Sequence, residues 1–168
     1  QEPVHVRSLE SLGRSDGALV GGKNASLGEM ITRLERAGVN VPSGFATTAD
    51  AYWLFLDEND LRGRVSDAIG KLKDDRSNLS SVGKKVRDLI RGGEMPGPVA
   101  VAVRQAYGDL ATRLGRKDPD VAVRSSATAE DLPEASFVGQ LETFLNIRGE
   151  TDVIDAIRRC FASLFTDR

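Results

Sequence analysis

Apolar residues recur at helical spacing through the first two thirds of the chain. The first such run predicts a helix over residues 23–37, which Gly38 ends. Thr48 is placed to cap a second helix over residues 49–58. A brief alternation at residues 4–6 predicts an opening strand. The same helical spacing predicts three further helices, with apolar positions spread over residues 61–72, 82–90 and 99–114.

The pattern changes in the last third of the chain. Val121-Ala122-Val123 is a short apolar run of the kind that forms a buried strand, and residues 143–147 alternate as a strand does. Residues 152–165 place apolar side chains on one helical face. We therefore predict a mixed α/β (α+β) fold, with a helix-rich part over residues 1–115 and a strand–loop–strand–helix part over residues 116–168.

Composition narrows the classes of protein and of partner. The 168 residues include 23 basic and 25 acidic side chains, for a formal net charge of -2, and 40% are hydrophobic. This composition is typical of soluble globular proteins. Its net charge provides no positive electrostatic field that would attract nucleic acid or an anionic membrane. The apolar runs are shorter than the roughly 20 residues of a membrane span, and the first residues do not resemble a secretory signal. We expect no nucleic-acid or membrane partner and a cytoplasmic location.

Cysteine and histidine each occur once, as Cys160 and His5. A single cysteine excludes a disulfide framework within the chain, and one histidine excludes the common zinc arrangements. Cys160 lies on the apolar side of its predicted helix and is expected in the core. His5 has no partner for a catalytic triad and is expected at the surface or on an edge strand. Because the sequence lacks an initiator methionine and stops directly after an apolar helical pattern, we interpret it as a fragment.

Two glycines and a lysine precede the first predicted helix, as Gly21-Gly22-Lys23. Glycines allow close backbone approach, the first N–H groups of a helix are unpaired, and lysine adds a positive charge, so the segment is a candidate phosphate site. It is not a Walker A loop, which needs four residues between its first glycine and Gly-Lys-Ser/Thr. Taken alone, these residues favour the alternative, a glycine turn with a solvated lysine.

Arg124 follows the predicted strand at residues 121–123. An arginine at the end of a core strand offers a planar group with five donors to a phosphate or carboxylate. The alternative is a structural ion pair with Glu130 or Asp131, and the residues alone leave the two readings even.

A second glycine-containing turn, at residues 137–143, leads into the last predicted strand. Gly139 would let main-chain N–H groups face an anion, and Gln140 and Thr143 could donate side-chain hydrogen bonds. An ordinary hairpin or bulge is the alternative, and the local sequence favours it.

Several long blocks follow one another in a specific order. They are VGGKNASLGEM at residues 20–30, VPSGFATT at 41–48, VAVRSSATAEDLPEASF at 121–137, TFLNI at 143–147 and SLFTDR at 163–168. Together they closely resemble the phosphoenolpyruvate synthases, whose wider family includes pyruvate phosphate dikinase and rifamycin phosphotransferase. The resemblance extends over nearly the whole chain, and it is weak only over residues 61–115.

The resemblance implies that residues 1–168 are the N-terminal portion of an ATP-grasp-type nucleotide-binding domain. In this family ATP phosphorylates a histidine on a separate swivelling domain, AMP and phosphate are released, and the phosphohistidine then serves pyruvate in a third domain. Those two domains are the implied partners in the full-length chain. The fragment alone is therefore expected not to turn over ATP, and the family's histidine role is not assigned to His5, which lies outside every matching block.

Carried over by motif, the resemblance also implies ATP-binding residues. Lys23 and Arg124 match the phosphate-binding cations, and Gly139 and Thr143 match the phosphate loop, with Gln140 as a weaker candidate. Leu141 departs from the second glutamine common in the synthases. Mg²⁺ is an implied cofactor whose carboxylate ligands are expected beyond Arg168.

The sequence leaves two alternatives to a pyruvate-directed dikinase. The same half-reaction could serve another acceptor, such as a rifamycin, because acceptor residues lie in other domains. The region could also be a stand-alone nucleotide-binding module without catalysis. A pyruvate-dependent assay of AMP formation and the length of the natural gene product separate these readings.

Overall fold

A computed structural model of the chain describes residues 4–125 and 142–166. Helices dominate the first part of the chain. The fold also contains two short antiparallel sheets, one in the first part and one in the last third. The strands are β1 (Val6–Ser8), β2 (Phe45–Thr47), β3 (Val121–Arg124) and β4 (Thr143–Ile147). The helices are α1 (Gly17–Val20), α2 (Gly22–Arg36), α3 (Ala49–Glu58), α4 (Arg62–Gly70), α5 (Leu79–Arg91), α6 (Gly97–Leu114) and α7 (Glu150–Ser163). The predicted α+β class and its helix-rich first part are confirmed.

The β1–β2 sheet lies between two hydrophobic clusters. Side chains alternate across a strand, and in β2 Phe45 packs against the larger cluster whereas Ala46 is buried in the smaller one. The larger cluster joins α3 to α7 and centres on fully buried side chains such as Phe55 and Phe165. The smaller cluster joins α1, α2 and the 3-10 turn Leu9–Ser11.

Local signals explain the helix boundaries. The Thr48 hydroxyl accepts a hydrogen bond from the Ala51 N–H at 3.3 Å, and α3 occupies the predicted residues 49–58. Gly38 has a φ of +77°, a backbone angle that ends α2 and that glycine adopts without strain.

The second sheet is a hairpin of β3 and β4 that packs on α7. Its register pairs Val121 with Ile147 and Val123 with Phe144, so two residues of β4 oppose Ala122 alone. One of them, Asn146, has a φ of +56°, the left-handed conformation common in such bulges. Because of this bulge, Ile147 and Phe144 both turn from solvent although they are three residues apart.

Two predictions about strands were wrong in detail. Val121 and Val123 are only half-buried, and Ala122 is exposed, because a two-stranded hairpin covered on one face alternates between core and solvent. The opening strand begins at Val6 rather than Val4, because the β1–β2 register runs from Val6 to Ser8. Arg124 is accordingly the last residue of an exposed strand end, not a residue emerging from a buried strand.

No helix among residues 4–125 and 142–166 is long and apolar enough to cross a membrane.

Candidate functional site

Arg124 and Thr143 lie opposite each other at the end of the β3–β4 hairpin where the connecting segment joins the two strands. They are Cα partners in the antiparallel register, and both side chains are exposed. Directly opposed residues of an antiparallel pair project from the same face of the sheet. The structure thus brings together two side chains that the sequence placed 19 positions apart.

The pairing continues one residue past Arg124. The Ser125 N–H donates to the Glu142 carbonyl oxygen at 3.0 Å, and the Ser125 hydroxyl donates to the same oxygen at 3.3 Å. The buried Ser125 hydroxyl therefore holds the strands together. Residues 126–141, which join the two strands, lie outside the described part of the chain, and with them the predicted site residues Gly139 and Gln140.

The Arg124 guanidinium is exposed. Within residues 4–125 and 142–166 it forms no salt bridge, and its alternative carboxylate partners Glu130 and Asp131 lie outside that part. An exposed guanidinium beside a threonine hydroxyl presents planar N–H donors and an O–H donor from neighbouring positions. This pair has the donor chemistry needed to bind phosphate oxygens.

Lys23 lies in the first turn of α2. Gly21 has a φ of +86°, which separates α1 from α2, and Lys23 follows it on an exposed surface. By the geometry of any α-helix, the N–H groups of this first turn have no acceptor within the helix. Lys23 stands on a helix of the smaller cluster, whereas Arg124 and Thr143 stand on the hairpin packed on α7.

Gly28, in the same block of sequence as Lys23, has a packing role. A β-carbon at this position would approach the Leu9 carbonyl oxygen to 2.5 Å and the Leu12 carbonyl oxygen to 2.8 Å. Gly28 thus lets α2 approach the segment that precedes α1, and this glycine serves close packing rather than anion binding.

The base of the hairpin is held by groups that no sequence motif marks. The Tyr107 hydroxyl donates to the Pro119 carbonyl oxygen at 2.7 Å and accepts from the Gly149 N–H at 3.0 Å. Beside them, the Arg148 guanidinium donates two hydrogen bonds of 2.9 Å to the Asp120 carboxylate. Those bonds lower the pKa of Asp120 from its ordinary value. The available signal was Tyr107 itself, a polar tip on the apolar face of α6 that needs a partner when buried.

A groove of about 450 Å³ lies between β1 and α6. At one end Arg113 donates to both Glu10 and Ser43, and the Ser43 hydroxyl donates to Glu10 at 2.7 Å. The hydrogen bond from Arg113 lowers the pKa of Glu10 from its ordinary value, and burial of the carboxylate opposes this only in part. The groove is closed at this end by a satisfied ion pair that ties α6 to the 3-10 turn before α1.

No group of three or more His, Cys, Asp or Glu side chains in the described ranges could hold a metal ion.

Comparison with known proteins identifies the family. The family described as "Pyruvate phosphate dikinase, AMP/ATP-binding domain" matches residues 17–168. The chain belongs to this family. That match covers both the lysine segment and the β3–β4 hairpin, and it confirms the resemblance seen in the sequence blocks.

Relatives within the family are similar along nearly the whole chain. A phosphoenolpyruvate synthase of Deinococcus radiodurans is 49% identical over 164 residues, which cover 97% of this chain and 20% of that protein. Phosphoenolpyruvate synthases of Pseudomonas aeruginosa and Escherichia coli are 53% and 48% identical, over 98% and 94% of this chain and 21% and 20% of those proteins. The chain therefore spans about a fifth of the length of these relatives.

Proposed function

We propose that this chain is the part of a phosphoenolpyruvate synthase-type dikinase that holds the phosphates of ATP. The observation that carries the proposal is the pairing of Arg124 with Thr143 on the two strands that the segment 126–141 connects. The other support is the family match, which is to an AMP/ATP-binding domain. The proposed phosphate-binding residues are Lys23, Arg124, Gly139, Gln140 and Thr143.

In this proposal the chain contributes charge and position to phosphoryl transfer. ATP transfers a phosphoryl group to a histidine on another domain of the longer protein, and, with one water, AMP and inorganic phosphate are released. The phosphohistidine then phosphorylates pyruvate. Transfer of this kind depends mainly on positioning and on neutralising the triphosphate, which are the tasks that Lys23 and Arg124 are suited to perform.

Mg²⁺ would neutralise further phosphate charge when bound. Its ligands are proposed to lie in the longer protein beyond Arg168, and the residues named here act without contact to it. The surrounding domain is proposed to be of ATP-grasp type, residues 1–168 are proposed to be its N-terminal portion, and the protein is proposed to be cytoplasmic. The chain alone, without an acceptor histidine in a matching block, is proposed to be inactive.

The test is Arg124→Lys in the full-length protein. Lysine keeps the charge but loses the planar fork, so ATP-dependent phosphorylation of the acceptor histidine should slow by about tenfold or more, the scale of a lost charge-assisted hydrogen bond. The melting temperature should change little, because the side chain is exposed. Phosphorylation is followed by rapid quench with labelled ATP.

Arg62→Lys is the matched control. Arg62 is likewise exposed and donates two hydrogen bonds to the Asp57 carboxylate, at 2.6 and 2.8 Å, but it lies on α4 beside Trp53. This variant should phosphorylate at the normal rate. A large loss of melting temperature in Arg124→Lys together with an unchanged phosphorylation rate would show a structural arginine and overturn the phosphate role.

A further inference from the structure

The buried hydroxyl of Tyr107 joins the two ends of the hairpin that carries Arg124 and Thr143. Its donor bond goes to Pro119, just before β3, and its accepted bond comes from Gly149, just after β4. A phenol can donate one hydrogen bond and accept another at the same time. One oxygen atom therefore fixes the start of β3 and the end of β4 to α6.

The neighbouring ion pair is a weaker anchor. The Arg148 and Asp120 side chains are 65% and 51% exposed, and pairs so exposed contribute little. Tyr107 is only 3% exposed, so the loss of its hydroxyl would leave the Pro119 carbonyl and the Gly149 N–H without their partner. The buried tyrosine is the main restraint at this base.

A small rotation at the base of the hairpin displaces its tip, where Arg124 lies, by a larger distance. A strand rises about 3.3 Å per residue, so Arg124 lies about 10 Å from Val121 at the base. A tilt of about 10° at the base would move the tip by about 2 Å, enough to spoil the alignment of a phosphate contact. A two-stranded hairpin has little stability of its own, so its direction is set by α7 on one face and by Tyr107 at the base.

We propose that Tyr107 is a positioning residue for ATP binding: its hydroxyl keeps the hairpin in the orientation in which Arg124 and Thr143 meet the phosphates. This inference rests on the proposed function. Without the hydroxyl the hairpin samples other orientations, and ATP binds only the competent fraction. The apparent affinity falls in proportion to that fraction, whereas the bound complex reacts at the normal rate.

The test is Tyr107→Phe in the full-length protein, which removes one oxygen and keeps the ring in the core. Amide hydrogen exchange in β3 and β4 should accelerate by about fivefold or more. The KM for ATP should rise by about five- to tenfold, which is within the range expected for the loss of both hydrogen bonds of the hydroxyl, with kcat within about twofold of the wild type. A raised KM with a nearly unchanged kcat differs from the result expected for Arg124→Lys, which should slow the chemical step itself.

Val65→Ala is the control for lost stability. Val65 is buried in α4 and packs in the larger cluster, on a helix that contacts α3 and α5. The truncation should lower the melting temperature and leave both hairpin exchange and KM unchanged. If Tyr107→Phe does not accumulate as folded protein, it is compared with the wild type in the presence of an osmolyte such as sucrose, which favours the folded state. A KM for ATP raised by about five- to tenfold is still expected there, and an unchanged KM overturns the inference.

The remaining outcomes separate this inference from the proposed function. If amide hydrogen exchange in β3 and β4 is as slow in Tyr107→Phe as in Val65→Ala, the hydroxyl does not hold the base of the hairpin and the inference is wrong. Faster exchange with an unchanged KM, while Arg124→Lys still slows phosphorylation, leaves the phosphate site standing and overturns the positioning role. If neither variant alters any ATP-dependent step, the phosphate site itself is wrong and the inference falls with it.

Discussion

Gly28 and Leu12 touch so closely that a β-carbon on Gly28 would lie 2.7 Å from the Leu12 β-carbon. The contact seals α2 against the segment before α1, next to the buried side chains of Leu9 and Ile31. Backbone atoms of Leu9 and Leu12 form most of the opposing surface, so it cannot yield by a side-chain rotation.

Gly28→Ala should therefore destabilise the protein by about 1–3 kcal/mol, the usual cost of overpacking, although alanine is the better helix former. Gly108→Ala is the control, because Gly108 lies inside α6 with nothing within 4 Å of an added β-carbon. It should stabilise by about 0.5–1 kcal/mol. Urea unfolding of both variants measures the difference, and equal shifts in the two would refute the close contact.

Thr48 links the chain start to α3. Its hydroxyl donates to the Val4 carbonyl oxygen at 2.6 Å while it accepts from the Ala51 N–H. Thr48→Ala should cost about 1–2 kcal/mol of unfolding free energy, because both bonds are lost, whereas Thr48→Ser should keep most of it. A loss of similar size in the serine variant would show that the methyl group matters instead.

The Glu10–Arg113 pair predicts a dependence of stability on pH. The pKa of Glu10 is lowered from 4.5 by the Arg113 hydrogen bond, so the folded state favours the carboxylate. The stabilisation is complete above the unfolded pKa and disappears as the pH falls through the folded one. Compared with Glu10→Gln, the protein should be more stable by about 0.5–1 kcal/mol above pH ~5, and the gap should close in acid.

That comparison needs denaturation curves of both proteins from pH 7 down to pH 3. A gap that stays constant over this range would mean that the carboxylate charge contributes nothing.

Cys160 should be chemically inert in the folded protein. Burial raises the pKa of its thiol to about 12, and the residue is 6% exposed. Alkylation at pH 8 should be at least about a hundredfold slower in the folded than in the urea-unfolded protein, because the thiolate is the reactive form. Mass spectrometry of the Cys160 peptide gives both rates, and rapid labelling of the native protein would contradict the burial.

Helices were predictable where a local signal marks them. Thr48 has both the side chain and the position of a cap, and Gly38 adopts the backbone angle that ends a helix. The degree of burial of β3 was not predictable, because an apolar triplet does not reveal how many layers cover a strand. That depends on what packs on each face, and here α7 packs on one.

The candidate site was predictable only in part. The family blocks select Arg124 and Thr143, and the register brings them together. The Tyr107 contacts depend on segments that are distant in sequence, since Pro119 and Gly149 meet only when the hairpin folds back on α6. Gly28 belongs to a block that resembles a binding motif. Its close contacts with Leu9 and Leu12 nevertheless show that it serves packing.

The sheet that separates the two hydrophobic clusters also divides the molecule into regions that can open at different free energies. The cluster around Ile31 is the smaller, so the helix of Lys23 should open at a lower free energy than the helices of the larger cluster, on which the hairpin of Arg124 packs. A triphosphate that contacts both cations would bind only while both regions are closed. Such a ligand would make their opening more cooperative, so nucleotide binding would act as a further cross-link between them, beside the Arg113 contacts to Glu10 and Ser43.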